Sequence, residues 1–243
     1  MPNWCSNNIT VSGEQTLVKR FDEQFRQPHT FVDCGAEDVD TKKFLSGEFK
    51  EQLAEYESYS IEETHFTTTR LRVIRGTEKR KGYALANFVP IDQEGIMKHG
   101  WYNWAIDNWG TKWDVHEVSA ELHELGDGQT EANYCFETAW SGVDPVLEAM
   151  SRQFPGLSFY YFYNEEGAEF AGIIEYEDGK EVSHKSSDDY PGGYMKFCLV
   201  ELEDTSYGEC PECEEFFSYN NAESLPDGTV ECPDCFASVP FIT

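Results

Sequence analysis

Two C-x-x-C pairs, Cys210-Pro211-Glu212-Cys213 and Cys232-Pro233-Asp234-Cys235, limit what this chain can fold into more than any other feature. The 18 residues between them fall in the range of a four-cysteine metal site. Two residues between cysteines let one tight turn present both thiolates to a single ion, and proline after the first cysteine preorganises that turn. Four thiolates close a tetrahedron around Zn2+ with no position left for water, so the spacing predicts a structural zinc. A segment this short buries too little apolar surface to fold alone, and metal binding of about 10–16 kcal/mol would make up the difference. The competing assignments are two disulfides, a dithiol redox site, or iron in the same sulfurs. Disulfides belong to oxidising compartments, and Met1-Pro2-Asn3-Trp4-Cys5 has neither the basic nor the apolar stretch of a secretory leader. A redox C-x-x-C usually comes singly, at a helix N-terminus.

From Thr205 to Thr243 there is no lysine or arginine, against eight acids: Glu209, Glu212, Glu214, Glu215, Glu223, Asp227, Glu231 and Asp234. A zinc with four thiolates adds about −2 more. Binding to nucleic acid rests on lysine and arginine replacing phosphate counterions, so DNA and RNA should be repelled by this ribbon. The imbalance runs through the chain: 18 Lys and Arg against 46 Asp and Glu, a net charge of −28. With 40% hydrophobic and 15% aromatic residues there is material for a packed core, unlike a disordered acidic tail. No apolar run is long enough to span a membrane. Cys5, Cys34, Cys135 and Cys198 are scattered and fit buried thiols in a reducing compartment. The expectation is a soluble protein of a bacterial cytoplasm. Its acidity serves either solubility alone or a surface aimed at a basic partner, and for the latter Glu212, Glu214 and Glu215 are the side chains to test.

One segment opposes the trend. Arg70, Arg72, Arg75, Lys79, Arg80 and Lys81 place six cations within twelve positions. Arg70 to Arg75 alternates as a strand with one basic face, and Gly76 to Lys79 reads as a turn. Such a strand either contacts phosphates or pairs internally with nearby acids; no aromatic is interleaved, which favours internal pairing.

Along the chain, residues 7–13 read as a strand and 14–26 as a helix with Leu17, Val18, Phe21 and Phe25 inward. Residues 27–83 look like a charged insertion with irregular patterning and a helix near 44–56. Residues 84–90 look strand-like. Trp101, Trp104 and Ala105 fall at helical spacing. Strands follow at 113–125 and 129–140, joined by Gly126-Asp127-Gly128. A helix over 145–154 has proline in its first turn. Strands at 157–163 and 170–176 come next, and a last strand at 194–201 leads into the ribbon. Two stretches share the order strand, Ser-Gly turn, amphipathic helix, one ending at Phe25 and the other at Phe154. That duplication suits an α+β, ferredoxin-like antiparallel sheet with helices on one face, occupying 1–204, followed by the zinc ribbon at 205–243.

Three blocks in order, Met1-Pro2-Asn3-Trp4-Cys5-Ser6-Asn7, Asn108-Trp109-Gly110-Thr111-Lys112-Trp113-Asp114 and Phe136-Glu137-Thr138-Ala139-Trp140-Ser141, resemble the YubB-type family of bacteriophage and plasmid proteins. The resemblance spans about residues 1–180. It implies a ferredoxin-like fold and a mobile-element origin, and no particular activity.

Catalytic signatures are lacking. There is no Gly-rich phosphate loop, G-x-S-x-G or H-E-x-x-H, and the six histidines are dispersed. Asn108, Lys112 and Trp113 form the best polar site beside an aromatic floor, although tryptophans near a helix end more often serve packing. The expected function is therefore a non-enzymatic phage or plasmid accessory protein. It would bind a basic host protein through its acidic surface, acting as an inhibitor, an anti-defence factor or a nucleic-acid mimic. The alternative is an enzyme or nucleic-acid-processing factor using the Trp101–Trp113 segment and the basic strand at 70–81.

Overall fold

The computed structural model describes residues 3–115, 117–226 and 228–240. Strand β1, Trp4–Glu14, alternates strictly, burying Cys5, Asn7, Ile9 and Val11. Helix α1, Gln15–Phe25, starts on the Glu14 carboxylate, which accepts from the Thr16 amide at 3.2 Å. It turns Val18, Phe21 and Phe25 inward, the face that the apolar spacing predicts.

The stretch after α1 is more ordered than its sequence suggests. Strand β2, His29–Asp40, leads through two short helices, α2 (Thr41–Ser46) and α3 (Lys50–Leu53), to β3 (Ser58–Thr64) and β4 (Thr68–Arg80). These strands form an antiparallel sheet in the order β2-β4-β3. The single helix expected near 44–56 is interrupted because Gly47 takes a left-handed conformation, φ 80°, and caps α2. The turn expected at Gly76–Lys79 is absent. A register shift at Asp33/Cys34 gives β4 one extra residue, and the strand runs on to Arg80.

The strand expected at 84–90 is instead a single 3-10 turn, Leu85–Asn87. Its amides at Leu85 and Ala86 donate to the Asp114 carboxylate rather than to a neighbouring strand. Helices α4 (Gln93–His99) and α5 (Trp101–Trp109) follow. The interruption of the core thus extends past residue 83, as far as β5, Ser119–Gly126. That strand begins later than 113 because residues 111–115 wrap back against the core.

Strand β6, Gln129–Ala139, helix α6, Asp144–Gln153, and strand β7, Leu157–Glu165, complete the core. All pairings in its sheet are antiparallel, and β5-β6-β1-β7 is the strand order of a ferredoxin-like β-α-β-β-α-β unit. The repeated strand–turn–helix segments in the sequence are its two β-α halves. Strands β8 (Phe170–Glu177) and β9 (Lys180–Ser186) extend the sheet beyond β7 to six strands. Helices α1 and α6 share one face. Phe21 is the hub there, its ring 5.1–6.0 Å from those of Phe25, Phe88, Tyr134, Phe154 and Phe159.

Residues 194–201 are not a strand. They form helix α7, Gly193–Glu201, which buries Tyr194, Phe197 and Cys198 against Ala171 and Ile173 on the opposite face of the sheet. Beyond it lie β10 (Tyr207–Glu209), β11 (Phe216–Ser218), β12 (Glu223–Ser224), β13 (Thr229–Glu231) and β14 (Ser238–Pro240), a ribbon of short hairpins around its own cluster of Cys210, Phe217, Tyr219, Val230, Cys232 and Val239. Lys196 reaches from α7 over the Phe216 ring and toward Glu209, joining the ribbon to the core. No helix among the described residues is long and apolar enough to cross a membrane.

Replacing Phe21 with alanine should lower stability by about 3–5 kcal/mol in urea unfolding, since five rings close on it. Phe66→Ala, at an 88% exposed position, should change it by under about 0.5 kcal/mol. Equal losses for the two would contradict this placement of the core.

Candidate functional site

The ribbon builds its centre from two matching turns. In the first, the Cys210 amide donates to Glu215 O and the Glu214 amide to Cys210 O, at 2.9 and 2.8 Å. In the second, the Cys232 amide donates to Ala237 O and the Phe236 amide to Cys232 O, both at 2.9 Å. Each turn reverses through a left-handed residue after its second cysteine, Glu214 and Phe236, both at φ 62°. Non-glycine residues adopt that backbone only when their surroundings enforce it.

The four sulfurs of Cys210, Cys213, Cys232 and Cys235 all lie within 4.8 Å of one another. The Sγ–Sγ separations are 3.6 Å for Cys210–Cys235 and 3.8 Å for Cys213–Cys232. A tetrahedron with metal–sulfur bonds of about 2.3 Å has edges of about 3.8 Å. A disulfide needs sulfurs about 2.05 Å apart, and all four thiols are free. The donor set therefore suits one thiolate-bound metal ion.

Around this centre the surface is acidic. Glu209, Glu212, Glu214, Glu215, Glu223 and Asp234 are exposed, and Glu231 is half-buried. Asp227, the remaining acid of the segment, lies outside the described residues. Among these acids stands Phe236, 71% exposed.

A second site lies beside the ferredoxin-like unit. The end of β6 is held by a chain of contacts: Ser141 Oγ donates to Gly110 O at 2.5 Å, Thr111 Oγ1 to Ala139 O at 3.1 Å, and the Trp140 amide to Asn3 O at 3.0 Å. Gly110 caps α5 at φ 82°, so close to the start of α6 that a Cβ there would sit 2.8 Å from Gly142 O and Pro145 Cδ. This fixes the following loop. Lys112 projects its ammonium 4.4 Å from the Trp113 ring centre and 5.6 Å from that of Trp101, while Trp113 lies 6.3 Å from Trp4. Asp114 turns inward and accepts from the amides of Leu85, Ala86 and Val115, at 2.6, 3.2 and 2.8 Å. Burial raises its pKa, and those three donors work against the rise.

Between this loop, α5 and the insertion sheet opens a cleft of about 810 Å³, within the range of small-molecule sites. Lys112 and Trp113, both singled out from sequence, line it together with Trp4, Trp101, Trp104 and Trp109. Asn108 does not; its amide donates to Trp104 O at 2.8 Å within its own helix. The basic strand is largely neutralised from within. Arg70 faces Asp38, Arg72 faces Glu62, and Arg75 bridges Asp33 and Glu37. Only the end of the segment, Arg80 and Lys81, reaches the cleft. Arg80 and Lys81 belong to the basic strand that the alternative reading joins to the Trp101–Trp113 segment, whereas Trp4 was not foreseen there; it is far from residue 112 in sequence, and its sole signal was membership of one of the three motif blocks.

A family model described as the ferredoxin-like domain in Api92-like protein matches residues 108–192. That span runs from the Lys112 loop through β9 and stops before α7 and the ribbon. The crystal structure of protein api92 from Yersinia pseudotuberculosis is similar to this chain, with a TM-score of 0.50 and 10% identity, over 79% of this chain and 99% of that one. At such identity the likeness is one of fold. No curated protein matches in sequence.

Purified without chelators, the protein should carry one equivalent of metal by elemental analysis. Cys213→Ser should lose it and expose residues 205–240 to protease, leaving core unfolding unchanged. Less than half an equivalent in the parent protein would contradict a metal-built ribbon.

Proposed function

We propose that this chain is a non-enzymatic accessory protein of a bacteriophage or plasmid, which docks on a basic host protein in the bacterial cytoplasm through the acidic face of a zinc ribbon. The observation that carries this reading is Phe236, an aromatic ring 71% exposed in a surface of carboxylates that has no lysine or arginine. Interfaces take most of their binding energy from a few anchors, aromatics among them, and an acidic rim selects a basic partner and speeds encounter. Zinc is the metal that best suits four thiolates in a closed site, with iron as the competitor. The same charge pattern disfavours direct contact with DNA or RNA, because there is no cation on the ribbon to replace phosphate counterions. A ring among carboxylates can also imitate a nucleic-acid strand, which makes inhibition of a DNA- or RNA-binding host protein the form of docking we favour. The mobile-element origin rests on the three motif blocks that resemble YubB-type proteins.

The test is affinity capture from bacterial lysate, with and without competitor DNA. The parent chain should retain a basic protein, and added DNA should displace it. Glu212, Glu214 and Glu215 all changed to lysine, or Phe236→Ser alone, should abolish capture with thermal unfolding unchanged, since these side chains are exposed. Capture by the triple variant at parental levels would leave the acidity as a solubility device. Turnover of a nucleotide or nucleic acid by the pure protein would overturn the non-enzymatic reading.

A further inference from the structure

We infer that the cleft beside α5 is a binding site for a small planar aromatic anion, of which a free nucleoside 5′-monophosphate is the closest chemical type. This is independent of the ribbon and goes beyond the docking role.

The walls supply both halves of such a ligand. Trp4, Trp101 and Trp113 offer ring faces at the opening, with Trp4 44% and Trp113 37% exposed. Each tryptophan leaves over a third of its surface accessible, with the two rings 6.3 Å apart, and so presents an apolar face that a planar ring can cover. The anion finds Lys112, Arg80 and Lys81, all lining the same cleft. Lys81 and Lys112, like most lysines of the chain, make no salt bridge among the described residues, so no carboxylate competes for them. Lys112 is held between two indoles, so its ammonium stays within reach of both the stacking surface and the opening. Arg80 lies 3.3 Å from the Phe31 ring centre, which fixes its guanidinium plane, and its one carboxylate, Glu78, is solvent-exposed.

The acids of the cleft do not cancel this. Asp114 is turned inward on three backbone amides, which leaves Glu117 as the opposing charge among the lining residues. His29 also lines the cleft, and its Nδ1 is buried with no hydrogen-bond partner among the described residues. Buried polar nitrogens are normally paired, and a ligand hydroxyl or ring nitrogen would complete this one. A nucleic-acid strand suits the site less well, because the −28 charge of the chain repels a polyanion while a single phosphate needs only the local cations. An aliphatic acid would leave the indole faces without a stacking partner.

Calorimetric titration of the intact protein with adenosine 5′-monophosphate, adenosine, ribose 5-phosphate and a single-stranded adenine oligonucleotide tests the assignment, with tryptophan fluorescence as a second readout. Saturable binding of the monophosphate is expected, with adenosine and ribose 5-phosphate each weaker by about tenfold or more. Trp113→Ala should weaken it by about tenfold, as should Lys112→Glu, while Trp113→Phe should retain most of it. Trp113 is partly exposed, so these variants should keep the parental circular dichroism. No saturable binding of the monophosphate, or binding unaffected by both Trp113→Ala and Lys112→Glu, would overturn the proposal. So would an oligonucleotide that binds far more tightly than the monophosphate with steep salt dependence.

Discussion

The amide of Asn7 is the interaction on which the rest of this structure depends. Asn7 sits on the central strand β1, 1% exposed, where an unpaired amide would be costly. Its nitrogen donates to Thr138 Oγ1 and to Cys5 O, both at 2.8 Å, and its oxygen accepts from the Tyr161 hydroxyl at 2.6 Å. One side chain thereby ties β1 to β6 on one side and β7 on the other. Each partner passes the constraint on. Thr138 Oγ1 donates to Ser141 O at 2.6 Å, and Tyr161 accepts from the Val143 amide at 2.8 Å at the start of α6. Burial drives the Tyr161 hydroxyl far above its usual pKa and the nearby Cys5 thiol up to about 12, so both stay protonated and neutral. Ser141 then fixes Gly110, and with it the loop that carries Lys112, Trp113 and Asp114. The three sequence blocks that contain Asn7, Lys112 and Thr138 are the three sides of this arrangement.

The two units of the chain solve the problem of a strongly acidic composition differently. The ferredoxin-like unit sets some of its cations along β4, where Arg70, Arg72 and Arg75 face neighbouring acids. Exposed pairs such as Arg70–Asp38 contribute little to stability, so these arginines serve more to limit repulsion than to hold the sheet. The ribbon has no cations and little apolar surface. Four sulfurs that could hold one ion supplement its small apolar cluster, which leaves side chains such as Glu212 and Phe236 outside the packing. Acids and an exposed phenylalanine can therefore occupy positions that a metal-free fold of this size would have to use for packing.

Legibility in the sequence followed the range of the interactions. Helices α1 and α6, the β5-β6 hairpin and the duplicated β-α order were readable because their signals are local: apolar spacing, Pro145 in a first turn, and Gly126-Asp127-Gly128. The cysteine centre was readable for the same reason, its ligands coming in two tight turns. Residues 84–90 misled because an apolar run looks like a strand unless one knows that Asp114 will claim two of its amides. Residues 194–201 misled because Tyr194, Phe197 and Cys198 fit a helix face, while Phe197, Leu199 and Val200 also fit a strand; the sheet face needing cover decided between them. The insertion sheet was obscured by exposed, charged strands whose apolar side is short. The cleft was half visible. Lys112 and Trp113 stood out, with Arg80 and Lys81 in the alternative reading, but Trp4 joins them only through the tertiary fold.

Amide hydrogen exchange in an Asn7→Leu variant measures this dependence most directly. Losing the side-chain amide should strand the Tyr161 hydroxyl and the Thr138 pair at a cost of about 3 kcal/mol. Exchange should then quicken in β1, in the end of β6 and, through Ser141 and Gly110, in residues 110–115, with the ribbon at 207–240 unchanged. Faster exchange confined to β1, with residues 110–115 as protected as before, would contradict the claim that the buried amide organises the cleft.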